Sequence, residues 1–223
     1  MAKYFQATLG NEVDPEQRPS WNVAPTTTVL GVEAHRTEGS EDLTRTIDSF
    51  KWGLVPSWAK DASTGNRLFN ARGETVTTKP SFRSAFKARR LIVPADGFYE
   101  WHRQSDGSKQ PHYFTRSDGE PFGFAGLYER WWDKEAPDAP PLTSCTIITT
   151  EAGPDMDGIH DRMPVILNPD TFDIWLDPDI EETSELTALL RPAPDGTVAH
   201  RPVDGRVGNV RNNDAELINP VDS

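Results

Sequence analysis

Nineteen prolines spread from Pro15 to Pro220, with no Gly/Ser-rich linker among them, restrict this 223-residue chain to short elements joined by tight connections. A proline removes a backbone donor and fixes φ, so it sits at turns, strand edges and helix starts. The scatter leaves no stretch that reads as an interdomain linker, and no internal repeat is present, so one domain over residues 1–223 is expected. A chain of this length buries a sizeable core without covalent staples. Its single cysteine, Cys145, excludes an internal disulfide framework and a cysteine-rich zinc site.

Between the prolines, β-branched and aromatic residues gather in short runs: Thr27–Val32, Ile47–Leu54, Leu91–Val93, Phe122–Tyr128, Thr143–Thr150 and Val165–Leu167. Two helices fit between them. Ser81 is placed to cap Phe82–Arg89, with Phe82, Ala85 and Phe86 on one face and Arg83, Lys87 and Arg90 on another. The second helix spans roughly Ile180–Leu190. Strands and helices without regular alternation indicate an α+β fold. The proline-rich segment Asp133–Pro141 reads as an exposed loop.

Charge is distributed unevenly. From Arg67 to Arg90 seven bases stand against one acid, Glu74, a local balance of +6 in a chain of −12, so the remainder sums to −18. Net acidity argues against indiscriminate nucleic-acid binding and leaves room for a localised groove. No apolar run reaches the ~18 residues of a membrane span. The first thirty residues carry no basic-then-apolar signal, so a cytoplasmic protein is expected.

Directly after the basic stretch, Phe98-Tyr99-Glu100-Trp101 sets a carboxylate among aromatic rings, and strand alternation sends Phe98 and Glu100 to one face. Desolvation there raises the carboxyl pKa, which suits a proton carrier; the bland alternative is a strand-end glutamate bonded to an arginine. His160-Asp161-Arg162 places an imidazole, a carboxylate and a guanidinium together, as a general acid or as a structural histidine. Asn70-Ala71-Arg72 supplies an amide and a fork suited to phosphate. Trp52 and Trp58 bracket a Gly/Pro turn, either as buried indoles or as platforms for single-stranded bases. Cys145 reads as a core residue, and the five histidines show no metal-ligand spacing, so neither a metal nor a cofactor is expected.

Six ordered motifs carry a family resemblance: Trp21–Thr26, Lys51–Trp58, Phe69–Thr75, Lys79–Arg83, Val93–Trp101 and His160–Leu167. Together they resemble the SOS response-associated peptidase (SRAP) family from about Trp21 to Val221, including Val210-Arg211-Asn212-Asn213. The resemblance implies a single α+β domain with a β-barrel-like core of mostly antiparallel strands and peripheral helices. It also implies binding of single-stranded DNA that carries an abasic site, by a protein expected to be a monomer. In the family an N-terminal cysteine, exposed by self-removal of Met, condenses with the sugar aldehyde into a thiazolidine. Carried over, Asn70 positions the reacting N-terminus, Glu100 moves protons for Met removal and amine attack, and His160 handles protons at the sugar. Arg72 and Arg162 resemble the family's phosphate contacts and Trp52 its stacking residue. Arg83, on the basic helix face, is expected to extend the DNA-binding wall.

One departure stands out. The family begins Met-Cys-Gly-Arg, whereas this chain begins Met1-Ala2-Lys3-Tyr4-Phe5, which resembles the helix after the family's first strand. That strand and its nucleophile are expected to be missing. Two readings follow: a cross-linking enzyme known here without its cysteine, or a module that binds damaged single strands without cross-linking. An unrelated hydrolase using Glu100 and His160 is disfavoured because no nucleophile is placed beside the histidine.

Overall fold

The computed structural model describes residues 1–11, 13, 18–36, 42–180 and 183–221. In chain order these form α1 (Ala2–Phe5), β1 (Thr8–Leu9), β2 (Thr28–Arg36), β3 (Leu43–Trp52), β4 (Asn70–Arg72), α2 (Arg83–Ala88) and β5 (Arg90–Ala95). They continue with β6 (Phe98–Arg103), β7 (Lys109–Arg116), β8 (Phe122–Trp131), β9 (Leu142–Glu151), β10 (Arg162–Pro164), α3 (Phe172–Leu176), α4 (Thr183–Thr187) and β11 (Val198–Pro202). Strands outnumber helices, and the helices are short, as an α+β chain punctuated by proline requires.

Eight strands make the larger sheet, ordered β1-β3-β2-β5-β8-β9-β10, with β4 added beside β9. β3 also meets β9 through two residue pairs, Lys51 with Ser144 and Trp52 with Cys145. The path thus returns on itself only loosely, and the expected barrel is closed at that one corner. The Trp52 corner needs Gly53, whose φ of 135° is open to glycine and whose missing side chain lets the Gly65 carbonyl approach. A second, three-stranded sheet runs β11-β7-β6. It leaves the larger sheet at Gly97, where a Cβ would strike the Tyr113 ring.

Each of the five runs from Thr27 to Thr150 coincides with a strand, except that Thr27 precedes β2 and Gly53 and Leu54 follow β3, and Asp133–Pro141 is irregular chain between β8 and β9 as expected. Val165–Leu167 lies just beyond β10 and is tied to the sheet by backbone bonds: Val165 N–H to the Ile148 carbonyl, Ala125 N–H to the Val165 carbonyl and Leu167 N–H to the Gly123 carbonyl. β6, β7 and β11 were not anticipated as a sheet. Cys145 is wholly buried in β9 and burial pushes its thiol pKa up.

Two expectations about the basic helix need correction. Ser81 does not cap it: Phe82 holds the N-cap position without a side-chain bond, and the chain enters through a turn in which the Lys79 carbonyl accepts from Phe82 and Arg83. Phe82, Ala85 and Phe86 do face the core. Arg90 does not lie on the outer face. The helix ends at Ala88, and Arg90 opens β5 with 3% of its surface exposed. Its guanidinium donates to the carbonyls of Trp175, Phe86, Lys87, Asp177 and Ile180, and burial lowers its pKa to about 10. It clamps the α3 end onto the sheet. Of the helix placed at Ile180–Leu190, the structure holds Thr183–Thr187, while residues 181–182 lie outside the described ones.

The N-terminal residues are fastened to α3 and β3. Phe5 stacks on Phe172 of α3 at 5.5 Å, and the buried Arg45 of β3 donates to the Phe5 carbonyl and pairs with Asp173.

Candidate active site

β6 alternates as its sequence demands. Phe98, Glu100 and His102 share one face, while Tyr99 and Trp101 share the other. Register with β7 sets Phe98 opposite Phe114 and Glu100 opposite His112. Phe98 stacks on Phe114 at 4.9 Å and meets Phe124 edge-on at 5.9 Å, closing this end of the face with apolar rings. Glu100 stands just past that wall with its side chain 26% exposed. Desolvation raises its carboxyl pKa, opposed by the nearby His160 and by the Trp101 amide.

His160 approaches from the turn that leaves β9. Its Nε2 lies 3.8 Å from Glu100 Oε2. Its Nδ1 lies 3.0 Å from both the amide nitrogen and the carbonyl oxygen of Arg162. A neutral ring that accepts the Arg162 amide at Nδ1 carries its proton on Nε2, facing the carboxylate. A proton on Nδ1 would instead go to the carbonyl. The backbone of Arg162 therefore holds the ring in either state, and Nε2 and Glu100 together can pass a proton to a third group.

Arg162 opens β10, and its side chain runs back over β9. Nη1 and Nη2 grip Glu74 at 2.5 and 3.0 Å, while Nη2 also donates to the Thr149 carbonyl at 2.7 Å. Its Nε is buried without a partner. Arg72 sits in register with the same Thr149 through the parallel β4–β9 pairing; the Arg162 hydrogen bond holds the Glu74 carboxyl below its usual range, and the Arg72 charge adds to it. The Glu74 carboxylate is thus held by Arg162 and lies within the field of Arg72.

β4 also exposes Asn70, with Ala71 turned inward. Trp52 reaches the same corner: its indole N–H donates to the Phe69 carbonyl at 2.8 Å and its ring stands edge-on to Phe69. Trp52 is half-buried, whereas Trp58 is 60% exposed.

The structure thus brings Glu100, His160 and Arg162 together and joins Arg72, Asn70 and Trp52 to them through β4 and β9. Arg83 is different. It lies on the exposed side of α2, which packs on β5 and β8, and no described contact ties it to this corner. The basic stretch is not one wall: Arg90 is buried, Arg89 pairs with Glu129 at 2.9 Å, and only Arg72 of its arginines reaches Thr149. Glu74 and Thr149 were not singled out from the sequence. A signal existed for Glu74, the only acid among seven bases.

Among the described residues no three His, Cys, Asp or Glu side chains gather to hold a metal ion, and no helix is long and apolar enough to cross a membrane.

Residues 1–210 match the model of a family described as SOS response associated peptidase (SRAP). The chain is 40% identical over 203 residues to the abasic site processing protein YoqW of Bacillus subtilis, covering 91% of this chain and 87% of the relative. It is 34% identical over 230 residues to the abasic site processing protein HMCES of Gallus gallus, covering 92% and 67%. A solved protein from Bordetella bronchiseptica superposes with a TM-score of 0.74 at 26% identity, covering 92% of this chain and 94% of that one.

Proposed function

The chain belongs to the SOS response associated peptidase family, and from that membership we propose that it processes abasic sites in single-stranded DNA. The observation that carries this reading is the approach of His160 Nε2 to the half-buried Glu100 at 3.8 Å, beside two arginines that share Thr149. An abasic deoxyribose reacts through its open-chain aldehyde, and ring opening needs a proton delivered to and taken from the sugar oxygens. A carboxyl whose pKa desolvation raises and a histidine whose Nε2 faces it supply that transfer. Arg72 and Arg162 then hold phosphates flanking the lesion, where bidentate geometry favours guanidinium over ammonium. Asn70 orients the attacking amine, and Trp52 packs against a neighbouring base, with a stacking gain of ~1–3 kcal/mol. Arg83 belongs to the outer reach of the strand's path.

The covalent step proposed for the family chemistry balances without an oxidant. A free N-terminal amine adds to the aldehyde, water leaves, and a thiol on the same residue adds across the resulting C=N bond to close a thiazolidine. That step needs a cysteine at the amino terminus. Cys145 does not serve, being wholly buried in mid-strand with its thiol pKa raised. We therefore propose the cross-link for a form bearing Met-Cys-Gly-Arg ahead of Met1, and salt-sensitive DNA binding, which needs no cysteine, for residues 1–223 themselves. Autoproteolytic removal of Met, a hydrolysis assisted by Glu100, belongs to the same extended form.

Both forms should be incubated with single-stranded DNA carrying one abasic site and then heated in denaturing gel buffer. A shifted band with the extended form, lost when its cysteine is changed to alanine, is expected. Binding to intact and abasic strands with no band from either form would leave only the binding-module reading.

A further inference from the structure

β7 and β11 carry two imidazoles that the mechanism above does not use. His200 is opposite Phe114 and His112 opposite Pro202, so the two histidines are diagonal neighbours on the sheet face that also bears Glu100 and His102. Their Nδ1 atoms lie 3.0 Å apart, with ring centroids at 5.0 Å and the planes tilted by 59°. No other hydrogen bond is described for either ring. His200 is exposed and His112 half-buried, so the space between them opens to solvent. His102 completes a row of three, its centroid 6.1 Å from that of His112.

At this distance one nitrogen donates its N–H to the other, and a cation that displaces that proton finds two nitrogen donors side by side. With metal–nitrogen bonds of about 2.0–2.1 Å, two imidazoles on one ion stand about 2.9 Å apart at a right angle and about 3.4 Å at a tetrahedral one, so the pair is within reach of a single late transition metal, and affinity among divalent first-row metals peaks at Cu2+.

We propose that His112 and His200 form a two-imidazole surface site for a divalent late transition metal, Cu2+ foremost, that ties β11 to β7 on the Glu100 face. No third ligand converges on it, so water fills the remaining positions. Such a cation joins strands 88 residues apart in sequence and stabilises the small sheet by mass action.

The test uses the whole chain, freed of metal with a chelator and titrated with CuSO4 alone at neutral pH. Isothermal calorimetry and electron paramagnetic resonance read the stoichiometry and the nitrogen ligands. One equivalent with nitrogen hyperfine structure is expected. Binding should weaken on the order of a hundredfold in His200→Asn, because the second imidazole acts as an intramolecular ligand. His35→Ala, which removes an exposed histidine on β2, should leave binding unchanged. Because His200 is exposed, its replacement is compatible with folding, and circular dichroism checks this; His112→Phe gives a second reading. Saturating Cu2+ should raise Tm by about 3 °C in the parent and not in His200→Asn. Equal copper affinity in the parent and His200→Asn overturns the site. So does an absence of saturable binding, which would leave a shared proton as the sole occupant.

Discussion

Glu74 holds both terminal nitrogens of the Arg162 guanidinium, Oε1 to Nη1 at 2.5 Å and Oε2 to Nη2 at 3.0 Å. The arginine proposed to receive a DNA phosphate already carries a carboxylate in the same bidentate geometry. A phosphodiester must take that place or share it, and Arg72 beside it supplies the charge that makes sharing feasible. In the free protein the proposed phosphate site is thus occupied by an acid of the same chain.

Glu74→Gln should therefore release Arg162. We expect affinity for single-stranded DNA to rise by about threefold, the scale of a partly exposed ion pair, with a steeper dependence on salt. Fluorescence anisotropy at two salt concentrations measures both. A loss of affinity would mean that Glu74 positions the arginine and does not compete for it.

Glu100→Gln should affect stability and chemistry in opposite directions. The folded protein binds the Glu100 proton more tightly than the unfolded chain, so stability is lost as pH rises from the unfolded value of 4.5 through the raised one. The amide carries no such charge. Thermal melts should find the variant more stable than the parent at pH 8, with the gap closing near pH 4. The same variant, built into the extended form, should cross-link abasic DNA ~100-fold or more slowly, the usual contribution of a general acid or base.

Arg90→Ala should destabilise the protein severely, by ~3–5 kcal/mol, because it strands five carbonyls that the guanidinium satisfies. Arg83→Ala, one exposed helix position, should stay within about 0.5 kcal/mol. Urea denaturation of the two variants side by side separates a buried clamp from a surface charge. Similar midpoints would contradict the assignment.

Cys145 should resist iodoacetamide in the folded protein and react once the chain is unfolded, as expected of a buried thiol whose pKa is raised. Mass spectrometry after labelling with and without guanidinium reads this directly. Rapid labelling without denaturant would show that β9 opens locally.

The parts legible in the sequence are those governed by neighbours along the chain. Runs such as Thr143–Thr150 announce strands because β-branched residues pack well on a pleated surface, and period-two alternation was enough to place Phe98 and Glu100 on one face. The small sheet was harder. Its strands mix histidine, arginine, glutamine and proline with aromatics, so no clean alternation marks β7 or β11. Arg90 shows how local periodicity misleads: counted at helical spacing it falls on the outer face, but the chain leaves the helix at Arg89 with φ −126° and ψ 68° and turns Arg90 inward.

Sequence alone thus determined the strand-rich α+β character, the orientation of Glu100 and the core role of Cys145, all set by side-chain size and spacing. Only the tertiary structure decided which charges meet. Glu74 with Arg162, and His112 with His200, are each 88 residues apart, and Arg90 finds its distant carbonyls in α3 and the turn after it. Coulomb and hydrogen-bond energies fall off over a few ångströms, and separation along a chain says nothing about that distance until the sheets have closed.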